Sequence, residues 1–482
     1  MDRSTLRRGA GAALAAAAAL AVAGPAAAAA PKPWVAGLRA EDPVVITGAR
    51  LGQPPPVWVQ RAVGYAVRGG RWVQVPIQVD EKVQLDLARL YAGAFSSGHL
   101  TVSAYADPGT LTGADPDRRL DADDELAFMA GDLGGAMPAR RGRRPLPASR
   151  PPRSVVASSL KRIAVTDPIT GRTGYLHLFL ARKGSRLVPS AGRRYVDYRF
   201  ALRSGAGLAA YRRGVGPNPE DTTLATSAYR WHFADRWASD GLAITAGGAS
   251  GADILDRHKD LFAPGNCGRS EDTFDSGEGA FVTNRAGPVR AIRSYVGANS
   301  GPLTQRTHLF YRGRHDVVTD LRVHPIGGIL DFLAFSPEAS GMTYRSSLQP
   351  GGLPIDGRPD PPPPPGLMAW HQATGPQGTV DASYHYDTDI ATLAPTGFRQ
   401  DLASPAGPLD GLSTTQCTGD AQIFGDVGNW IRQPIPNTDP ARGPAARFSA
   451  RITLYLGAPG GTAAGAGLHA RQAATPLTAA VG

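Results

Sequence analysis

A mostly-β protein is predicted, with a small N-terminal antiparallel β-domain followed by a large antiparallel β-sandwich. Three observations carry this. Period-two alternation recurs along the chain while helical periodicity is scarce. Turn signals rich in Gly, Pro, Asn and Asp punctuate the apolar runs. An aperiodic Arg/Pro/Ser-rich stretch at 139–153 divides the 482 residues into a shorter and a longer part.

Residues 1–30 are set aside first. Arg3, Arg7 and Arg8 precede an Ala-rich apolar run, and Ala26 to Ala30 offer small-residue cleavage sites. This is the layout of a secretory signal peptide, too short and too weakly apolar for a membrane anchor. No Cys follows the run, and no second long apolar stretch appears. The expectation is a secreted protein without a membrane span, working as a monomer.

The small domain is placed at 31–138. In "RWVQVPIQVDE", Val73, Val75, Ile77 and Val79 point one way and Gln74, Gln78 and Asp80 the other. Gly69-Gly70 makes the turn before Trp72. The acidic run "GADPDRRLDADDELAFMAGD", Gly113 to Asp132, comes next. Counted from Asp115 or from Asp121, it lacks the Gly and Glu that an EF-hand requires at its sixth and twelfth positions. Two readings stay open. One is an irregular loop holding structural calcium through Asp115, Asp117, Asp121 and Asp123. The other is a turn whose Asp side chains bond the local backbone.

The large domain is placed at 154–460 and an Ala/Gly-rich, loosely held tail at 461–482. "SLKRIAVTDPITGRTGYLHLFLAR" reads as a hairpin turning at Asp167 to Gly171. Further strands are read at Tyr195–Leu202, Gly241–Thr245, Pro288–Val296, Thr307–His324 and Ala446–Leu456, and "GADILDRHKDLF" as one short helix. "MAWHQ" and "ASYHYDTD" put His371, Tyr384, His385, Tyr386 and Asp387 in loop-like regions. Cys267 and Cys417 either pair across a long loop, as an oxidising compartment favours, or stay as two separate buried thiols.

The net charge of +10 is almost all Arg, with Lys only at Lys32, Lys82, Lys161, Lys183 and Lys259. The densest cluster, Arg140 to Arg153, has Pro and Ser between its cations and no aromatic partners. Nucleic acid is therefore not the expected partner, whereas an acidic glycan or cell-envelope polymer is. Phosphate-cradling loops, H-E-x-x-H and G-x-S-x-G are all absent from the sequence.

The main functional candidate is the hairpin within "GPVRAIRSYVGANSGPLTQRTHLFYRGRHDVVTDLRVHPI". With Tyr311 opposite His315, one face collects Arg306, His308, Asp320, Arg322 and His324. Such a face is costly to seal in a core unless every member is paired, so it is expected to line a cleft or meet water. "YRWHFADRW" adds Trp231 on one strand face and His232 on the other.

Gly287-Pro288-Val289-Arg290-Ala291-Ile292, the long hairpin and the strand "ARFSARITLYLG" resemble the galactose-mutarotase-like supersandwich. That class occurs in exported polysaccharide lyases and sugar-processing enzymes. The resemblance implies a groove suited to an acidic polysaccharide and a lyase working by β-elimination, with hydrolysis, a glycan- or envelope-binding protein and a structural surface protein as rivals. In the lyase, His308, His324 or Tyr311 would take the proton, Tyr311 being the weakest since it faces away. Arg306 and Arg322 would stabilise the anion, with Asp320, Trp231 and His232 contacting substrate.

Overall fold

The computed structural model describes residues 32–33, 39–52, 59–91, 99–110, 112–117, 119–138, 147–202, 220–234, 239–262, 280–297, 303–401 and 424–482. The leader-like segment 1–30, the centre of the Arg-rich cluster and both cysteines, Cys267 and Cys417, lie outside the described residues. Among the described residues the protein is mostly β, with antiparallel sheets of six, eight, nine, three and two strands and one α-helix. Among these residues no helix is long and apolar enough to cross a membrane.

Two large sheets form the sandwich. The eight-stranded sheet runs from Val196–Arg199 through Thr222–Thr226, Tyr229–Phe233, Ser239–Ile244, Leu255–Phe262, Ile329–Phe335 and Gly425–Ile431 to Thr396–Gln400. In the nine-stranded sheet Phe448–Gly457 is central, hydrogen-bonded to Arg314–Asp320 on one side and Gly378–Thr388 on the other. The inner faces meet over a core that includes Tyr229, Trp231, Phe233, Phe310, Val317, Leu333, Ile452 and Leu454. Alternation explains this directly: in Tyr229–Phe233 the aromatics point inward while Arg230 and His232 point out.

The hairpin differs from the expected register by one residue. Phe310 opposes His315 and His308 opposes Val317. A slip of one moves every side chain of the second strand to the other face. Arg306 and His308 therefore share the inner face with His315, not with Asp320, and that face is buried in the sandwich.

Pairing also runs across the 139–153 segment. The Val155–Thr166/Arg172–Ala181 hairpin, turning at Asp167–Gly171 with Gly171 at φ +69°, joins Ala62–Arg68 in the six-stranded sheet. The tail is not loose. Thr462 caps helix α1, Ala463–Ala474, accepting from Gly465 N, and Thr478–Val481 then pairs with Val155–Thr166 as an edge strand. Ala-rich sequence favours that helix once a cap is present. "GADILDRHKDLF" is a strand, Leu255–Phe262, because pairing with Ile329–Phe335 overrides its helical spacing. His371 and Tyr384 to Asp387 likewise lie on strands of the nine-stranded sheet, not in loops.

The small unit buries both faces of its Gln78–Asp80 strand. Val79 joins the apolar cluster, while Gln78 and Asp80 turn to the sandwich. Gln78 Oε1 accepts from the backbone N–H of Val289 and Arg290, both at 3.0 Å. These bonds seat the small unit on the outer face of the nine-stranded sheet.

Candidate functional site

The interior absorbs several of the expected site residues. Arg306 is ion-paired to Asp260 and donates to the Tyr295 hydroxyl, and His308 Nδ1 lies 3.1 Å from His315 Nε2. Burial pushes both imidazoles well below their usual range, so they stay neutral. Burial raises Asp260 to about 7 and Asp331 to about 6, while His258, 3.3 Å from Asp331, is held down at about 3. Trp231 is in the same interior, its ring edge-on to His315 at 4.6 Å. Pairing of Arg306 with Asp260 across the two sheets offsets part of the cost of this polar core, whereas His308 Nε2, His315 Nδ1 and Trp231 Nε1 find no hydrogen-bond partner among the described residues.

The remaining expected residues are scattered. Asp320 and Arg322 form a loose pair, 3.8 Å apart, in a surface groove of about 440 Å³ with Asp387 and Arg447. His324 turns its Nδ1 to the Pro325 carbonyl. His232 lies on the outer face of the eight-stranded sheet. Tyr311 is buried where the small unit meets the sandwich, its hydroxyl 3.3 Å from Arg290 Nη1. There Arg290 also bonds Asp80 and Glu125. Burial alone would raise Glu125, but Arg290 and Lys82 outweigh it and hold the carboxyl at about 2.

In the acidic run, Asp115 and Asp117 accept the N–H groups two residues on, the turn chemistry of Asx motifs. The carboxylates that come together, within 4.8 Å, are Asp121, Asp123 and Asp124. Both Asp124 oxygens already accept backbone N–H, from Lys82 and Asp121. Burial, a hydrogen bond with Asp123 and the Asp124 charge raise Asp121 to about 6.

The most complete constellation lies under helix α1, on the outer face of the nine-stranded sheet. A cleft of about 720 Å³ is lined by Glu41, Thr379, Asp381, Tyr455, the Gly457–Thr462 stretch and His469. His469 Nδ1 is 2.6 Å from Asp381 Oδ2, and its ring stacks on Tyr455 at 4.2 Å and 11°. Asp381, in the middle of its strand, is buried and also accepts from Gln372 Nε2 at 2.7 Å. A carboxylate at Nδ1 fixes the tautomer with its proton there, leaving Nε2 to accept or deliver one. The Tyr455 hydroxyl donates to Asp42 at 2.7 Å, and burial pushes it up, so it stays protonated. Asp42 in turn accepts from Arg314 at 3.0 Å. At the rim, Glu41 chelates Arg312 through both its oxygens.

A His held by a buried Asp and lining a cleft is the arrangement of a general acid or base. Sequence reasoning passed over His469 because its Ala/Gly-rich surroundings read as a tail. The signal was there: Thr462 before an Ala-rich run is an N-cap pattern.

No family model matches this chain, and no curated protein matches it. Among solved structures, the chain is similar to a protein of Escherichia coli K12 provisionally assigned as an aldose 1-epimerase. The identity is 11%, the TM-score 0.27, and the match covers 54% of this chain and all of that one.

Proposed function

We propose that this is an exported carbohydrate-active enzyme that moves a proton on a sugar bound under α1, with His469 as the base. The observation that carries the proposal is the His469–Asp381 pair opening onto the large cleft. The sugar assignment is supported by the lining, which offers carboxylate, hydroxyl and backbone partners for a polyhydroxylated ring, and by the sequence resemblance to supersandwich enzymes. β-Elimination from a uronate fits better than hydrolysis. Hydrolysis of a glycoside usually needs a protonated carboxylic acid beside a second carboxylate. Glu41 is bound by Arg312 and Asp381 by His469 and Gln372, so among the described residues lining the cleft the proton carrier with a nitrogen to spare is the His469 imidazole. In elimination, His469 Nε2 takes the proton α to the uronate carboxyl, the C–H pair forms the C=C bond, and the glycosidic C–O bond breaks. The leaving oxygen then takes a proton from water, and His469 releases the one it gained to solvent.

The test is incubation with a panel of uronate polysaccharides, following ultraviolet absorbance of the unsaturated product alongside reducing ends. His469→Ala should lower turnover about 10²-fold or more with the fold intact. Full activity in that variant, or silence of the wild type across the panel, would overturn the proposal. Silence together with measurable glycan binding would favour a non-catalytic glycan-binding protein. The tight pairing of both cleft carboxylates is the observation that keeps this second reading alive.

A further inference from the structure

The outer face of the eight-stranded sheet carries a trough of about 470 Å³, on the opposite outside of the sandwich from the His469 cleft. Its floor follows from the strand register. One cross-strand row reads Arg199, Thr223, His232, Gly241, and the next reads Asp197, Ala225, Arg230, Ala243. Small residues alternate with charged ones, so the charged side chains stand as walls along a low floor. Gly241 keeps it open: a Cβ there would meet His232 Cβ at 2.9 Å and an Asp253 oxygen at 3.2 Å.

His232 is engaged at both ring nitrogens. Its Nδ1 lies 2.6 Å from Asp240 and its Nε2 3.1 Å from Asp221, and these carboxylates, Asp240 first, push the imidazole above its usual range. Arg199 pairs with Asp197 at 3.0 Å, but both are well exposed, so the pair is weak and exchangeable. Arg230 is exposed, and among the described residues no carboxylate is paired with it. Asp253 spends one oxygen on the Leu242 and Leu255 N–H groups.

We infer that this trough is a second, non-catalytic site that holds a uronate-bearing glycan chain lying across the strands. Neighbouring positions in a row are roughly 4.8 Å apart, about the step of one sugar ring along a chain. Arg230 takes a uronate carboxylate bidentately, Arg199 exchanges Asp197 for a second, and the free Asp253 oxygen accepts from ring hydroxyls. The inference takes its substrate class from the proposed function but not its reaction. A site that grips polymer away from the reacting cleft keeps the enzyme on its substrate between events.

Affinity electrophoresis in gels containing polygalacturonate, with neutral dextran as control, tests it. Wild type should be retarded by polygalacturonate and not by dextran. Arg230→Ala should weaken retardation about tenfold, the loss of one charge-assisted carboxylate contact. Ala243→Tyr, which fills the floor without changing charge, should do the same, both variants melting within about 2 °C of wild type. His469→Ala should be retarded like wild type. Unchanged mobility of both trough variants, or equal retardation by dextran, would overturn the inference. Retardation that depends on Arg230, in a protein without turnover, would sink the proposed reaction and leave this site standing.

Discussion

Glu220 and Arg293 tie the two sheets together, and cutting that tie is expected to be expensive. Arg293 leaves the nine-stranded sheet and meets Glu220, beside the eight-stranded one, through two parallel bonds of 2.9 Å. Neither side chain reaches solvent, and the guanidinium also lies over the Phe233 ring at 4.1 Å. Removing the acid leaves the guanidinium without its carboxylate in a buried, largely aromatic setting. Glu220→Ala should therefore cost about 3–5 kcal/mol, the usual penalty for orphaning one half of a buried pair. Replacing both with apolar residues of similar volume, Glu220→Leu with Arg293→Met, should return to within about 1 kcal/mol of wild type, because the desolvation cost disappears with the charges. Equilibrium urea unfolding, followed by tryptophan fluorescence, measures the wild type, the single variant and the double variant. A single variant costing under about 1 kcal/mol, or a double variant no better than the single, would refute the reasoning.

Burial holds His258 and His371 at about 3 against 6.5 when unfolded, so each gives up stability as pH falls below about 6.5. Asp260 and Asp331 act oppositely, since a raised carboxyl gains stability on protonation. With His308 and His315 also depressed, the histidines win, and stability to urea should be lower at pH 4.5 than at pH 7; a rise would contradict this. Asp381→Asn should lower kcat about 10²-fold with little change in KM, because it unsettles the His469 tautomer without emptying the cleft; equal activity would remove Asp381 from the mechanism. Deleting Pro476–Gly482 takes away the edge strand that anchors α1, so turnover should drop about tenfold or more while far-ultraviolet dichroism still reports a β protein. Both Asp124 oxygens already accept a backbone N–H, so chelator should shift Tm by less than about 1 °C; a clear drop would reveal a calcium ion bound to the acidic run.

Sequence made the β character and many of the strands readable, because alternation is a local property. It carried Tyr229–Phe233, the Asp167–Gly171 turn and the Gly69-Gly70 turn without help from distant residues. Register was harder. The tips Tyr311–His315 and Phe310–His315 differ by one residue, and the choice follows from which face of the second strand turns inward, Val317 joining a core cluster drawn from residues as distant in the chain as Trp231 and Ile452. The same remoteness hid the interior network, since Leu255–Phe262 carries helix-like spacing and becomes a strand only when Ile329–Phe335 pairs with it. The cleft was invisible for another reason. Its parts come from Glu41, Asp381, Tyr455 and His469, and nothing in the sequence brings those four together.

The edge strand Thr478–Val481 has a topological consequence. It pairs with Val155–Thr166, so the chain leaves the six-stranded sheet, builds the sandwich and then returns to where it began. Helix α1 lies immediately before this return strand and is carried back across the sandwich face by it. The contact between His469 and Asp381 thus bridges the two sheet systems, and loosening either one loosens that pair.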